Sequence, residues 1–112
     1  MLYNKFMPYK KRLEKFKAIL REQFPMLTEQ YYVASLEIFG SYVRHEEKTT
    51  SDLDILVTFS KAPSILKFIR LENHLSDLLG VKVDLVLKDS LKPAIGKRIF
   101  EEAEPVQQNI CL

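Results

Sequence analysis

Short strand-like runs alternate with amphipathic helical patterns along this chain of 112 residues, and that alternation limits the folds open to it. The strand-like runs are rich in β-branched and aromatic residues and occupy residues 32–39, 52–59 and 81–87. Helical periodicity occupies residues 8–24, about 60–79 and about 89–103. The order α-β-β-α-β-α predicts an α+β fold, in which helices back a small mixed β-sheet on one side.

Proline and glycine residues set the expected ends of these elements. The first helix is expected to stop before Pro25, because an internal proline removes a backbone hydrogen bond. Gly80 should end the second helix, and Pro93 suits the first turn of the last one, which Asp89 or Ser90 would cap. The tail from Pro105 is short and mixed, and we interpret it as an edge strand at most.

The cysteine and histidine content narrows the kinds of disulfide and metal site that the chain could form. Cys111 is the only cysteine, which excludes an internal disulfide framework and a thiolate zinc site. His45 and His74 lie far apart, outside metal-ligand spacing, so any metal ligands should be carboxylates, which suit Mg²⁺. No apolar run approaches the roughly 20 residues of a membrane span, and no signal-peptide pattern is present. We therefore expect a single cytoplasmic domain with no membrane association.

Positive charge is concentrated in the first helix, although the net charge is only +2. Its apolar stripe should pack on the sheet and leave the basic side chains in or near solvent: Lys10, Lys11, Lys15, Lys17 and Arg21. Such a face could contact a phosphate backbone or an acidic partner, or serve only as a solvated surface. The chain shows no basic groove studded with aromatic residues, which speaks against direct nucleic-acid binding.

A Gly-Ser pair stands where the first strand ends. Gly40 has no Cβ and so permits close approach of a ligand or of another backbone segment. If a short helix runs from Ser41 to Arg44, its free N–H groups and the Ser41 hydroxyl would form a cradle for phosphate. The alternative is a plain turn.

Two carboxylates open the second strand. Strand alternation places Asp52 and Asp54 on one face and turns Leu53 the other way. Like charges this close repel unless a cation joins them, and Mg²⁺ would fit. A solvated polar strand start is the alternative.

Asp84 lies on the polar face of the third strand, between Lys82 and Lys88, which would also suit an exposed sheet face. If this strand pairs with the second, Asp84 arrives beside the Asp52/Asp54 pair. Three carboxylates facing a phosphate cradle would form a two-metal phosphoryl-transfer site.

The motif Gly40-Ser41, ten residues, then Asp52-Leu53-Asp54 resembles the signature of the DNA polymerase β-type nucleotidyltransferases. The flanking sequence is similar to the minimal nucleotidyltransferases, or MNT antitoxins, which are small stand-alone prokaryotic domains. The resemblance covers about residues 33–106 and implies a catalytic core at about 32–106 in a single domain spanning 1–112. His45 stands where a glycine commonly follows Arg44 in that family, so the loop over the nucleotide should differ in shape.

The resemblance also implies roles for individual residues. Gly40, Ser41 and Arg44 would bind the phosphates of a nucleoside triphosphate, with a surface ion pair as the alternative role for Arg44. Asp52 and Asp54 would hold two Mg²⁺ ions. Asp84 would complete the second metal's shell and help to deprotonate the acceptor hydroxyl.

Within that family the usual partner is a HEPN-domain toxin encoded by a neighbouring gene, to whose tyrosine the antitoxin transfers AMP from ATP. The resemblance therefore implies a metal-dependent protein adenylyltransferase. A short chain with no evident acceptor-binding domain fits an acceptor that docks from outside. Two alternatives stay open: an antitoxin that acts by contact without catalysis, and a small-molecule nucleotidyltransferase.

Overall fold

The computed structural model describes residues 8–106, with side chains described from residue 12 onward. Helices and strands alternate throughout, in the order α1 (Pro8–Tyr31), β1 (Val33–Phe39), α2 (Ser41–Arg44), β2 (Leu53–Phe59), α3 (Ile65–Leu79), β3 (Val83–Leu87), α4 (Pro93–Glu102) and β4 (Glu104–Pro105). The predicted α+β class with a small mixed sheet is confirmed. The observed order also contains the short helix α2 and the short strand β4, which the sequence offered only as possibilities.

The four strands form one sheet in the order β3-β2-β1-β4. Strand β2 runs antiparallel to β1 and parallel to β3, and β4 pairs antiparallel with β1 at the edge. An edge strand is therefore present at Glu104–Pro105, while the tail beyond residue 106, which was interpreted as part of a possible edge strand, lies outside the described residues. Because β2 and β3 are parallel, their first residues lie at the same edge of the sheet, where β1 ends.

One face of the sheet packs against α1 and α3. The alternating side chains Leu53, Ile55 and Val57 of β2 are fully buried in this core. Leu20 of α1 and Leu75 of α3 are buried in the same cluster. Each such side chain contributes about 1.5–3 kcal/mol through burial, so the alternation of β2 holds its odd-numbered residues inward and turns Asp54 to the other face.

Helix α1 passes through Pro25 and ends at Tyr31, so the prediction that it stops at residue 24 is wrong. Proline removes one hydrogen bond, but the next turn places Leu27 fully inside the core. The carbonyl of Thr28 then accepts a hydrogen bond from the Tyr32 N–H at 3.0 Å. Tertiary packing therefore outweighs the local penalty.

The other element ends move by a few residues. Helix α3 begins after Ser64, whose hydroxyl accepts a hydrogen bond from the Lys67 N–H, and Gly80 ends it in the left-handed conformation as expected. Neither Asp89 nor Ser90 caps α4, because a 3-10 turn holds them and the Ser90 hydroxyl donates to the Leu87 carbonyl. Strand β3 begins at Val83, two residues later than predicted.

The basic face of α1 is only partly in solvent. Lys17 is buried, and its ammonium group lies 2.5 Å from the Glu104 carboxylate, which contradicts its expected exposure. Arg21 donates a hydrogen bond to the Val106 carbonyl at 3.0 Å. These contacts fasten the C-terminal edge strand to α1, while Lys15 is exposed as predicted. The side chains of Lys10 and Lys11 lie outside the described residues.

Within residues 8–106, no helix combines the length and the apolar character that a membrane crossing requires.

Candidate active site

Gly40 is in direct contact with Asp54 at the edge where β1 ends. Its backbone has φ 84° and ψ −153°, a conformation that is essentially restricted to glycine. A Cβ added at this position would lie 2.1 Å from the Asp54 Oδ2 atom. The absence of a side chain at residue 40 is therefore what allows the Asp54 carboxylate to lie against the turn.

The short helix expected after Gly40 is present as α2. The N–H groups of Val43 and Arg44 donate to the Gly40 carbonyl at 3.0 and 3.1 Å, which closes its single turn. Tyr42 anchors the helix to α1: it is buried, and its hydroxyl accepts a hydrogen bond from Arg12 at 2.9 Å. Helix α2 therefore begins directly after Gly40, the residue that lies against Asp54, and binding of phosphate by Ser41 and the first N–H groups of α2 stays a prediction.

The three predicted carboxylates come together at this edge of the sheet. Asp54 of β2 stands opposite Asp84 of β3 in the parallel register, and Asp52 immediately precedes β2. Asp54 is half-buried and Asp84 is exposed. The conditional prediction that β3 would bring Asp84 to the pair is therefore correct as geometry.

The nearby carboxylates affect the pKa of Asp54. Burial first, and then the charges of Asp84 and Asp52, together raise the pKa of Asp54 to about 6, while Arg44 acts in the opposite direction. A carboxylate disfavoured in its charged form by its neighbours is a group that a cation would stabilise.

Asp52, Asp54 and Asp84 form the candidate donor set for a divalent cation. Within the part of the chain that the structure describes, no three acidic, histidine or cysteine side chains are already gathered tightly enough to hold a metal ion by themselves. All three candidates nevertheless offer carboxylate oxygens, the donors that Mg²⁺ prefers, and water and phosphate oxygens ordinarily supply its remaining ligands. The site therefore fits a Mg²⁺ ion that arrives with a nucleotide.

Arg44 is already paired. Its Nε lies 3.0 Å from Glu46, and its Nη1 lies 3.1 Å from both carboxylate oxygens of Glu102. The structure therefore places Arg44 in the surface ion pair that was the alternative to phosphate binding.

Glu102 is the functional candidate that sequence reasoning missed. Its Oε2 accepts a hydrogen bond from the Gly40 N–H at 2.7 Å, across 62 residues of sequence. One signal was available: Glu102 falls at the i+7 position of the stripe that begins with Ile95 and Ile99, where an apolar residue would be expected.

A cavity of about 730 Å³ opens between this edge of the sheet and α4. Its polar end contains Gly40 and Asp54, and its wall on α4 contains Ile95, Arg98 and Ile99. Ile95 is 58% exposed, which is unusual for a large apolar side chain next to charged groups. The volume is in the range of small-molecule sites.

The chain belongs to the nucleotidyltransferase family: residues 13–106 match the family model described as a nucleotidyltransferase domain. It is 51% identical over 92 residues to a Methanocaldococcus jannaschii chain whose name assigns it provisionally to the protein adenylyltransferases, a match covering 82% of this chain and 94% of the relative. It is 50% identical over 90 residues to the protein adenylyltransferase MntA of Thermococcus cleftensis, covering 80% and 91% respectively. The resemblance to minimal nucleotidyltransferases is thereby confirmed, and the chain is a transferase.

Solved structures support the same fold. A structure described as a minimal nucleotidyltransferase superposes with a TM-score of 0.68 at 34% identity, covering 82% of this chain and 94% of that one. The MNT antitoxin complex with a tri-AMPylated HEPN toxin of Shewanella oneidensis gives a TM-score of 0.59 at 18% identity, covering 83% and 73%. At that lower identity the likeness concerns the fold alone.

Proposed function

We propose that this nucleotidyltransferase is an antitoxin that transfers AMP from ATP to a tyrosine hydroxyl of a HEPN-domain toxin. The observation that carries the proposal is the pairing of Asp54 with Asp84, next to Asp52 and against the Gly40 turn. Acidic residues gathered on adjacent strands can hold the divalent ions that stabilise the attacking and the leaving oxygens of a phosphoryl transfer. The names of the relatives supply the acceptor class, and the toxin complex of a structural neighbour supplies the partner class.

The chain's own groups divide the task of transfer between them. The Ser41 hydroxyl and the first N–H groups of α2 bind the β- and γ-phosphates. Asp52 and Asp54 would hold the divalent ions, whose charge would stabilise the α-phosphate and the leaving oxygen. Asp84 faces the acceptor and withdraws the proton from its hydroxyl as that oxygen attacks the α-phosphorus.

The transfer step is a substitution at the α-phosphorus of ATP. A bond forms between the acceptor oxygen and the α-phosphorus, and the bond from that phosphorus to the bridging oxygen of the β-phosphate breaks. Pyrophosphate carries away the electron pair, and the acceptor proton passes first to Asp84. The acceptor keeps AMP as a phosphodiester.

The site edge also suits a large acceptor. Asp84 is exposed, and the adjacent wall of α4 presents Ile95 to solvent, so a side chain held on another protein can reach the carboxylates. This accessibility supports a protein hydroxyl as the acceptor over a small molecule that would need an enclosing pocket.

The test uses the protein product of the neighbouring gene, provided that it contains a HEPN domain. The two proteins are incubated with MgATP, and the partner is analysed by intact mass and peptide fragmentation. We expect added AMP on a tyrosine and release of pyrophosphate. A partner that stays unmodified, while a variant carrying both Asp52→Asn and Asp54→Asn still protects cells from it, would replace this proposal with neutralisation by contact.

A further inference from the structure

A single carboxylate contacts both ends of the helix that forms the phosphate cradle. Glu102 accepts a hydrogen bond from the Gly40 N–H, immediately before α2, at 2.7 Å. The same carboxylate binds Arg44, the last residue of α2, through two 3.1 Å contacts to Nη1. Because α2 spans only Ser41–Arg44, these contacts hold both of its ends.

The contacts of Glu102 with Gly40 and Arg44, which we call the clamp, are anchored by neighbouring secondary structure. Ala103, next in sequence to Glu102, ends α4 with its N–H bonded to Ile99, and β4 follows at once on the edge of the sheet. The Glu102 side chain is 24% exposed, so solvent only partly screens its contacts. On its other side, Gly40 lies against the Asp54 carboxylate.

Two opposite consequences for nucleotide binding could follow from this geometry. If Arg44 is a phosphate ligand, then Glu102 competes with phosphate, and its removal should tighten nucleotide binding. If the contacts instead hold α2 in place, then removal should weaken binding. Two observations favour the second case: Arg44 is also paired with Glu46, and Glu102 binds a backbone N–H that no guanidinium competition would explain.

We propose that Glu102 is a positioning residue, which with Arg44 clamps the α2 cradle in the geometry that receives the triphosphate. The inference rests on the proposed function, because it concerns how the same site binds ATP. Arg44 then acts as the other half of the clamp, and phosphate contact falls to Ser41 and the N–H groups of α2. The clamp also ties α4, which lines the cavity, to the turn that holds Asp54.

The experiment compares Glu102→Gln, Arg44→Gln and the double variant with Glu101→Gln. Glu101 is an exposed neighbour, and the substitution makes the same chemical change without touching the clamp. MgATP affinity is measured by calorimetry without any acceptor, and the steady-state KM and kcat are measured with the acceptor. Amide hydrogen exchange of residues 41–44 is followed in the nucleotide-free proteins.

We expect each single variant to weaken MgATP binding roughly threefold to tenfold, the range for losing one partly exposed charged hydrogen-bonded pair. The double variant should be no weaker than either single variant, because both remove the same clamp. The KM for ATP should rise while kcat at saturating ATP and the KM for the acceptor stay unchanged. Exchange at residues 41–44 should accelerate in both single variants and not in Glu101→Gln.

Tighter or unchanged MgATP binding in Glu102→Gln would overturn the inference. So would unchanged exchange at residues 41–44, whatever the nucleotide affinity. The exchange measurement needs neither nucleotide nor acceptor. A protein that shows the exchange and binding effects but never modifies a partner would refute the proposed acceptor and leave the clamp standing.

Discussion

Asp54 and Asp84 stand directly opposite each other on neighbouring parallel strands, at the edge where both strands begin. The pairing brings two carboxylates together without a basic residue between them in the register. Folding of the nucleotide-free chain therefore concentrates negative charge where a divalent cation would neutralise it.

Asp54 should make the stability of the metal-free protein depend on pH. Its pKa is raised to about 6 in the folded chain, whereas an unfolded aspartate titrates near pH 4. Between these values the folded state binds more protons than the unfolded state, so stability falls as pH rises from about 4 to 6 and is level above that. Asp54→Asn removes this effect. We expect the variant to melt higher than the parent in EDTA above pH 6, and to lose that advantage below pH 4.

Asp77→Asn is the matched control, because Asp77 is an exposed carboxylate on α3. Its melting curve should follow the parent at every pH. Since Asp54 is only half-buried, solvent screening will reduce the difference, so the sign of the effect is the diagnostic quantity. An Asp54→Asn variant that melts lower than the parent at pH 7 would show that the carboxylate supports the fold.

Gly40→Ala should abolish transfer, whereas Gly80→Ala should not. Both glycines have positive φ, but a Cβ at Gly40 would meet Asp54 at 2.1 Å, and a Cβ at Gly80 meets nothing within 4 Å. Gly80→Ala should therefore cost only the left-handed strain of about 1–2 kcal/mol and keep its activity. Thermal melts and transfer assays on the two variants separate strain from damage to the site. Equal activity per folded molecule in both would contradict the role given to the Gly40–Asp54 contact.

Replacement of Glu47 by an apolar residue of similar length should stabilise the protein. It is 8% exposed, and its carboxylate oxygens have no hydrogen-bond partner among residues 8–106. Burial of an unpartnered polar group costs about 1–3 kcal/mol, so Glu47→Met should raise Tm. Glu46→Met is the comparison, since Glu46 is exposed and paired with Arg44, and it should leave Tm unchanged or lower. A drop in Tm for Glu47→Met would reveal a partner for this carboxylate.

Lys17 should be a structural residue, in contrast to Lys15. Lys17→Met leaves Glu104 without its buried partner and frees the edge strand, so we expect a loss of about 1 kcal/mol, or roughly 4–6 °C in Tm. Lys15→Met, at an exposed position two residues away, should melt like the parent. Recruitment of an acidic partner by the basic face stays a prediction, to be tested with Lys15→Glu by association rates at low salt. Lys17 does not suit that test, because its substitution would alter the fold.

Local patterns in the sequence were enough to predict the strands and the residues of the acidic edge. Alternation in β2 turns Leu53 inward and Asp54 outward, and that decision depends only on neighbours in sequence. The turn at Gly40 and the start of α2 could also be predicted from residues adjacent in sequence. These features could be predicted because side-chain direction in a strand follows from parity alone.

Contacts between residues far apart in the sequence could not be predicted in the same way. The bond from Gly40 to Glu102 joins residues 62 positions apart, and nothing local to α4 specifies it. The passage of α1 through Pro25 depends on where Leu27 meets the core, which overrides a local penalty. The burial of Lys17 depends in turn on Glu104 reaching the sheet edge.

We propose that the carboxylates at this edge catalyse the metal-dependent transfer of the α-phosphoryl group of ATP, as AMP, to a protein acceptor. The most direct measurement follows label transfer to the proposed HEPN partner from ATP labelled at the α- or the γ-phosphate, using the parent and Asp54→Asn with Mg²⁺ or EDTA. We predict that the parent transfers the α-label alone and only with Mg²⁺, and that correctly folded Asp54→Asn transfers neither. Transfer of the γ-label, or α-label transfer by Asp54→Asn at the parent's rate, would contradict the account.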